Sequence, residues 1–149
     1  METKIQKEFI DTGFGFPIRL LNVPMIKVRG AWTPKINYNV LAMLVLRLLI
    51  HKDSRLTGNE IKFIRSHFEM TLQDFAHRFC VTHVGVMKWE KTKNQSTAMN
   101  WTTEKDIRLF VLTRLTTKAQ ELASLYEELK DLPRTKSEPI YLDAKKLAA

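Results

Sequence analysis

Four histidines, one cysteine and a scatter of acids are the residues of this 149-residue chain that catalysis or metal binding would have to use. Their spacing supports neither. His51, His67, His77 and His83 do not pair into a ligand motif, and one cysteine excludes a multi-cysteine zinc site. Cys80 beside His77 and His83 supplies the ingredients of an activated thiol. Its place in a turn between two packed helices instead predicts a small buried residue. Glu127 and Glu128 read as a solvated helix face. No GxxxxGK[ST], GxGxxG or HExxH is present. The residues therefore point away from an enzyme, a metal and a cofactor.

What remains is a basic and polar helix side, and the stretch that must present it. LTGNEIKFIRSHFEMTLQDFAHRFCVTHVGVMKWEK, residues 56–91, holds three short amphipathic segments, each opened by a threonine: Thr57, Thr71 and Thr82. A threonine hydroxyl there accepts a bond from a free N–H of the first helical turn. Glu60 follows Thr57 at the capping-box spacing, and Asp74 follows Thr71 as its shorter variant. Ile61, Ile64 and Phe68 share one face of the first segment; Leu72, Phe75, Ala76 and Phe79 share one of the second. Val86 and Trp89 do so in the third, with Val81 plugging the turn and Phe79 and Trp89 in the core. His83, Val84, Gly85, Met87, Lys88 and Lys91 are left facing outward. Two short helices joined by three or four residues form a unit whose second helix can enter the DNA major groove.

TLQDFA (Thr71–Ala76), the turn Phe79-Cys80-Val81-Thr82 and the ending Val86-Met87-Lys88-Trp89-Glu90 resemble the helix-turn-helix of the phage-repressor and Xre family, including antitoxins of toxin–antitoxin operons. The resemblance covers about a quarter of the chain. It is most similar to the antitoxin branch in which an N-terminal domain precedes the unit. Leu72 stands where members often carry glutamine, which removes one polar contact. Cys80 and Thr92 stand where glycine usually accommodates φ > 0. By match to the family pattern, the resemblance implies base contacts from His83, Val84 and Lys88. Lys88 would donate to guanine O6 or N7, Val84 would touch a thymine methyl, and His83 would donate or accept by tautomer. Thr71, Gln73 and Thr82 would meet phosphates. Lys91, Lys93, Asn94 and Gln95 would flank the DNA backbone. It also implies a homodimer on a pseudo-palindromic operator, with half-sites about one helical turn (~34 Å) apart. The function implied is a repressor, plausible as the autoregulatory antitoxin of its operon. The alternative is a module that neutralises a cognate toxin, with DNA binding secondary.

Charge agrees with a polyanionic partner. Net charge is +8, with a pI near 9.7. Residues 57–118 carry ten Lys/Arg against six Asp/Glu, and residues 119–149 five against six, so the excess belongs to the fold and not to a tail. A single cysteine suits a reducing, cytoplasmic setting, and METKIQKEFIDTG lacks the apolar core of a signal peptide.

The remaining elements set the expected architecture. Residues 1–15 read as a flexible lead. Phe16–Trp32 reads as two short strands bent at Asn22-Val23-Pro24. VLAMLVLRLLI, residues 40–50, is too short to span a bilayer and apolar on all sides. It needs two covers, of which the hairpin or a second copy supplies one. Thr102 and Thr103 open a further helix, Thr117 with Gln120 resembles a capping box, and Leu122, Leu125, Leu129 and Leu132 form a short seam ended by Pro133. The expected fold is mainly α: a five- or six-helix bundle containing the helix-turn-helix, with a short N-terminal β-hairpin. Its parts are a lead (1–15), a hairpin with an apolar helix for packing or dimerisation (16–55), the DNA-binding region (56–132) and a flexible tail (133–149).

Overall fold

A computed structural model of the chain describes residues 2–131 and 137–147. Its contacts divide the chain into two units, Met1–Val45 with Pro139–Ala149, and Leu46–Glu138. The division falls within a helix, α1, Tyr38–Ile50.

The first unit is built on strands β1 (Thr3–Asp11), β2 (Ile18–Val28), β3 (Ala31–Pro34) and β4 (Tyr141–Asp143). β1 lies antiparallel along the whole of β2. β3 pairs antiparallel with Met25–Val28, and β4 pairs parallel with Arg19–Leu21. Arg29 and Gly30, both at positive φ (51° and 81°), make the two-residue turn between β2 and β3. Such turns match the twist of the strands they join. β2 runs unbroken through Asn22-Val23-Pro24, but its alternation changes there. Ile18 and Leu20 are buried, then Val23 and Met25. Asn22, at φ 54°, and Lys7 opposite it drop out of the ladder together, so the register is kept and both strands change face at that point. The same shift shows across the pair: Asp11, Phe9 and Gln6 are the least exposed residues of β1, and they face Ile18, Leu20 and Val23.

A mainly helical bundle is thus the wrong class: among the described residues the fold is mixed, with six helices and a four-stranded sheet. Two segments account for the difference. The lead forms β1, whose stability comes from the backbone ladder and not from apolar side chains. The tail, expected to be flexible, supplies β4 and a 3-10 turn (Ala144–Leu147), because Ile140, Ala144 and Leu147 are buried. Leu132, the last leucine of the seam, lies outside the described residues.

The second unit contains α2 (Gly58–His67), α3 (Leu72–Arg78), α4 (His83–Glu90), α5 (Trp101–Leu115) and α6 (Ala119–Glu128). Phe110 on α5 receives Phe68 and Phe79 edge-on, at centroid distances of 5.7 and 5.4 Å. Asn100, not Thr102 or Thr103, caps α5, accepting from the Thr102 N–H at 2.8 Å. No side chain caps α6, so the Thr117–Gln120 box does not form. α1 is not covered all round either, since Val40 and Met43 are exposed.

The interior of this unit is ionic as well as apolar. Glu104 and Arg108, one turn apart on α5, are both buried. Glu104 accepts from Arg55 Nε (2.8 Å), from Arg108 (2.8 Å) and from the Leu56 N–H (3.2 Å). Arg108 also donates to the carbonyls of Lys52 (2.6 Å) and Ser54 (2.7 Å). Removing one member of a buried pair strands its partners without water. Glu104→Ala should therefore cost about 3–5 kcal/mol in denaturant unfolding. Arg47→Ala, which breaks a surface pair with Glu121, should stay within about 1 kcal/mol.

In the first unit, Tyr38 Oη donates to Asp11 Oδ2 at 3.1 Å. Partial burial, and then the adjacent carboxylate, push the phenol from its ordinary value of 10.0 up to about 12. The folded state therefore holds a proton that the unfolded state releases. The contribution is complete below about pH 10 and is lost as pH rises through about 12. Unfolding free energy should fall across that window more steeply in the parent than in Tyr38→Phe.

Candidate nucleic-acid interface

α2, α3 and α4 owe their ends to local chemistry. Thr57 Oγ1 accepts from the Glu60 N–H at 3.1 Å, and Glu60 Oε1 accepts from the Thr57 N–H at 2.9 Å. Thr71 and Asp74 repeat the exchange at 3.0 and 3.2 Å. Thr82 Oγ1 accepts from the Gly85 N–H at 3.0 Å. The hydroxyl hydrogens of Thr71 and Thr82 remain available to donate outward.

α2 and α3 end alike. In α2 the Glu69 N–H reaches the Ser66 carbonyl and the Met70 N–H reaches that of Arg65. In α3 the Cys80 N–H reaches His77 and the Val81 N–H reaches Ala76. This is the Schellman pattern, which places its terminal residue in the left-handed region. Glu69 (φ 55°) and Cys80 (φ 57°) occupy it where glycine is usual. Cys80 is consequently turned outward and exposed, contrary to the buried position expected from its sequence context. At the end of α4 the left-handed residue is Lys93 (φ 54°), one place after Thr92.

The four residues Phe79–Thr82 join α3 to α4, and the two helices pack on each other. Val86 is the single fully buried residue of α4; Trp89 is half-buried. Its outward side carries His83, Val84, Met87 and Lys88, all exposed, with Lys91 following. Val84 and Met87 expose 46% and 38% of their surface. Val84 and Lys88 stand one turn apart, as do His83 and Met87.

α4 is tied to α2 at two points. Arg65 donates to both oxygens of Glu90, at 2.7 and 3.0 Å. The Glu90 carboxylate, hydrogen-bonded to it, holds the guanidinium above its ordinary range against the opposing effect of partial burial. The start of α2 also presses on the end of α4. A Cβ on Gly58 would lie 2.2 Å from the Trp89 carbonyl oxygen and 3.0 Å from that of Glu90.

The flanking residues divide by role. Lys93 and Asn94 help hold α2, since the Lys93 carbonyl accepts from the Asn59 N–H at 2.9 Å and Asn94 Oδ1 from Asn59 Nδ2 at 3.1 Å. The Gln95 carbonyl accepts from Thr92 Oγ1 at 3.0 Å. Their side chains are exposed, as are Thr71 and Gln73 at the start of α3. The structure thus gathers Thr82, His83, Val84, Lys88 and Lys91 on one helix. Lys93, Asn94 and Gln95 sit on the loop that follows it, and Thr71 and Gln73 on a separate helix. Met87, which the sequence also placed outward, shares the exposed side of α4 with the first set. The Arg65–Glu90 tie had no local signal, because its partners are 25 residues apart.

Among the described residues no group of three or more His, Cys, Asp and Glu could hold a metal ion. No described helix is long and apolar enough to cross a membrane. No protein family, no curated protein and no solved structure matches the chain.

Because backbone and not a flexible tip opposes the added methyl, Gly58→Ala should force α2 away from α4. The expected loss is about 1–3 kcal/mol. Urea unfolding should show it as a lower midpoint with an unchanged slope.

Proposed function

We propose that the chain is a sequence-specific, double-stranded-DNA-binding transcriptional regulator of the Xre type, a repressor that acts as two copies with α4 in the major groove. The observation that carries this reading is the outward side of α4, where apolar Val84 and Met87 stand exposed among His83, Lys88 and Lys91. An eight-residue helix is about 12 Å long, comparable to the width of the groove. Exposed valine and methionine side chains are a liability in water and an asset against thymine methyls. Lys88, one turn beyond Val84, supplies the donor for guanine O6 or N7.

In this reading Thr71 and Thr82, each already capping a helix, donate their free hydroxyl hydrogens to phosphates and so fix register. Gln73, Lys91, Lys93, Asn94 and Gln95 continue the phosphate track. Lys88, Lys91 and Lys93 have no carboxylate in ion-pair reach among the described residues, so their charge is free to displace counterions. The α2–α4 ties hold the helix rigid before DNA arrives, which lowers the ordering cost of binding.

Selection of bound fragments from random duplex DNA tests the proposal, and a chain that enriches no common sequence overturns it. On the selected site Lys88→Ala should lose about 1–3 kcal/mol, with a smaller loss on scrambled duplex. Lys91→Ala should weaken both alike and lower the salt slope by about one.

A further inference from the structure

Strand β1 is the outer strand of the first unit's sheet. One side is paired along its length to β2, and no strand pairs with the other among the described residues. Along this nine-residue strand the N–H and C=O groups that point away from β2, those of about every second residue, are unmatched and form a template for another strand. The strand is also nearly all exposed, with Ile5 at 63% and Ile10 at 48%.

From this edge we infer a homodimer seam, in which β1 pairs antiparallel with β1 of a second copy about a twofold axis between Lys7 and Glu8. In that register each facing pair of residue numbers adds to fifteen. Lys7 meets Glu8 twice, Ile5 meets Ile10 twice, and Gln6 meets Phe9 twice. Facing residues of an antiparallel pair must point to the same side of the sheet. A regular strand cannot meet that condition in an odd register. β1 can, because its alternation shifts opposite Asn22: Gln6 and Phe9 both face inward, and Ile5 and Ile10 both face outward. A slip of one residue either way would set inward side chains against outward ones. The irregularity in β2 therefore makes the outer edge of β1 complementary to itself.

Charge selects the same register. Lysines on an edge usually repel another strand. Here Lys7 has no carboxylate in ion-pair reach within its own chain, among the described residues. Glu8, its facing residue, is held in position by Arg19 at 2.8 Å. A twofold pair built on one patch is the commonest route to a soluble dimer. This seam names the second copy that a pseudo-palindromic site requires, and it rests on the DNA-binding reading for the number of copies alone.

The test measures self-association of the full chain without DNA, by sedimentation over a micromolar concentration series. The parent should dimerise. Lys7→Glu and Glu8→Lys should each weaken self-association about tenfold or more, by setting like charges opposite each other twice. An equimolar mixture of the two variants should regain the parent affinity as a heterodimer, since each new charge meets an opposite new one and each native charge a native one. A monomeric parent, single variants that associate like the parent, or a mixture that stays apart would each overturn the seam. Duplex binding is read separately. A chain that dimerises in this way but ignores DNA removes only the DNA reading, and one that reads DNA as a monomer removes only the seam.

Discussion

The exposed side of α4 is positioned in part through one buried carboxylate, that of Glu104. Glu104, on α5, has no exposure and pairs with both Arg55 and Arg108. Burying three charges is costly, and the hydrogen bonds they make offset that cost. Arg108 donates to the carbonyl of Ile50, at the end of α1, and to those of Lys52 and Ser54 just beyond it. Arg55 adds the Met99 carbonyl. The segment between α1 and α2 is therefore fastened to α5 by charge-assisted bonds, in addition to the burial of Ser54 and Leu56.

That fastening is passed along the chain. Lys52, in the same segment, is buried and donates to both oxygens of Glu60, each at 2.8 Å. Glu60 at the same time closes the capping box with Thr57. The start of α2 is thus fixed by an ion pair and a cap that share one carboxylate. Gly58 brings that start against the end of α4, and Arg65 clamps Glu90 from the other end of α2. α4 itself fully buries only Val86, and it is held by α3, on which it packs, together with these ties to α2.

The parts of this arrangement that were legible in the sequence are the ones whose physics is local. Threonine caps show because cap and partner are three residues apart. The apolar stripes of α2 and α3 show because helical periodicity is local too. The ionic core was hidden for the opposite reason. Glu104 and Arg108 look like solvent-facing members of an i, i+4 pair, and nothing within α5 reveals that Arg55 and three carbonyls some fifty residues earlier complete them. β1 was hidden because its side chains, Lys4, Gln6, Lys7 and Glu8 among them, carry no apolar alternation. Its partner was recognised as strand, but a backbone ladder leaves no trace in composition. β4 is three residues long, and only the spacing of Ile140, Leu142, Ala144 and Leu147 hinted at a buried face. The outward set on α4 was legible as a face. That Cys80 would take a left-handed turn residue's place, and so be exposed, follows from the Schellman bonds and not from its neighbours' types.

Charge explains why the exposed side of α4 presents so positive a surface. Residues 57–118 hold ten basic and six acidic side chains, a modest excess. The interior withdraws them unevenly. Glu60, Glu90 and Glu104 go into buried or half-buried pairs, together with Arg65 and Arg108 from the same stretch. Eight basic groups and three acidic ones remain for the surface. Two further cations in these pairs, Lys52 and Arg55, come from outside the stretch. Stabilising the fold with imported cations thus turns acids inward and leaves lysines outward. The ion pairs that help position α4 therefore also leave a basic excess among the exposed side chains of residues 57–118.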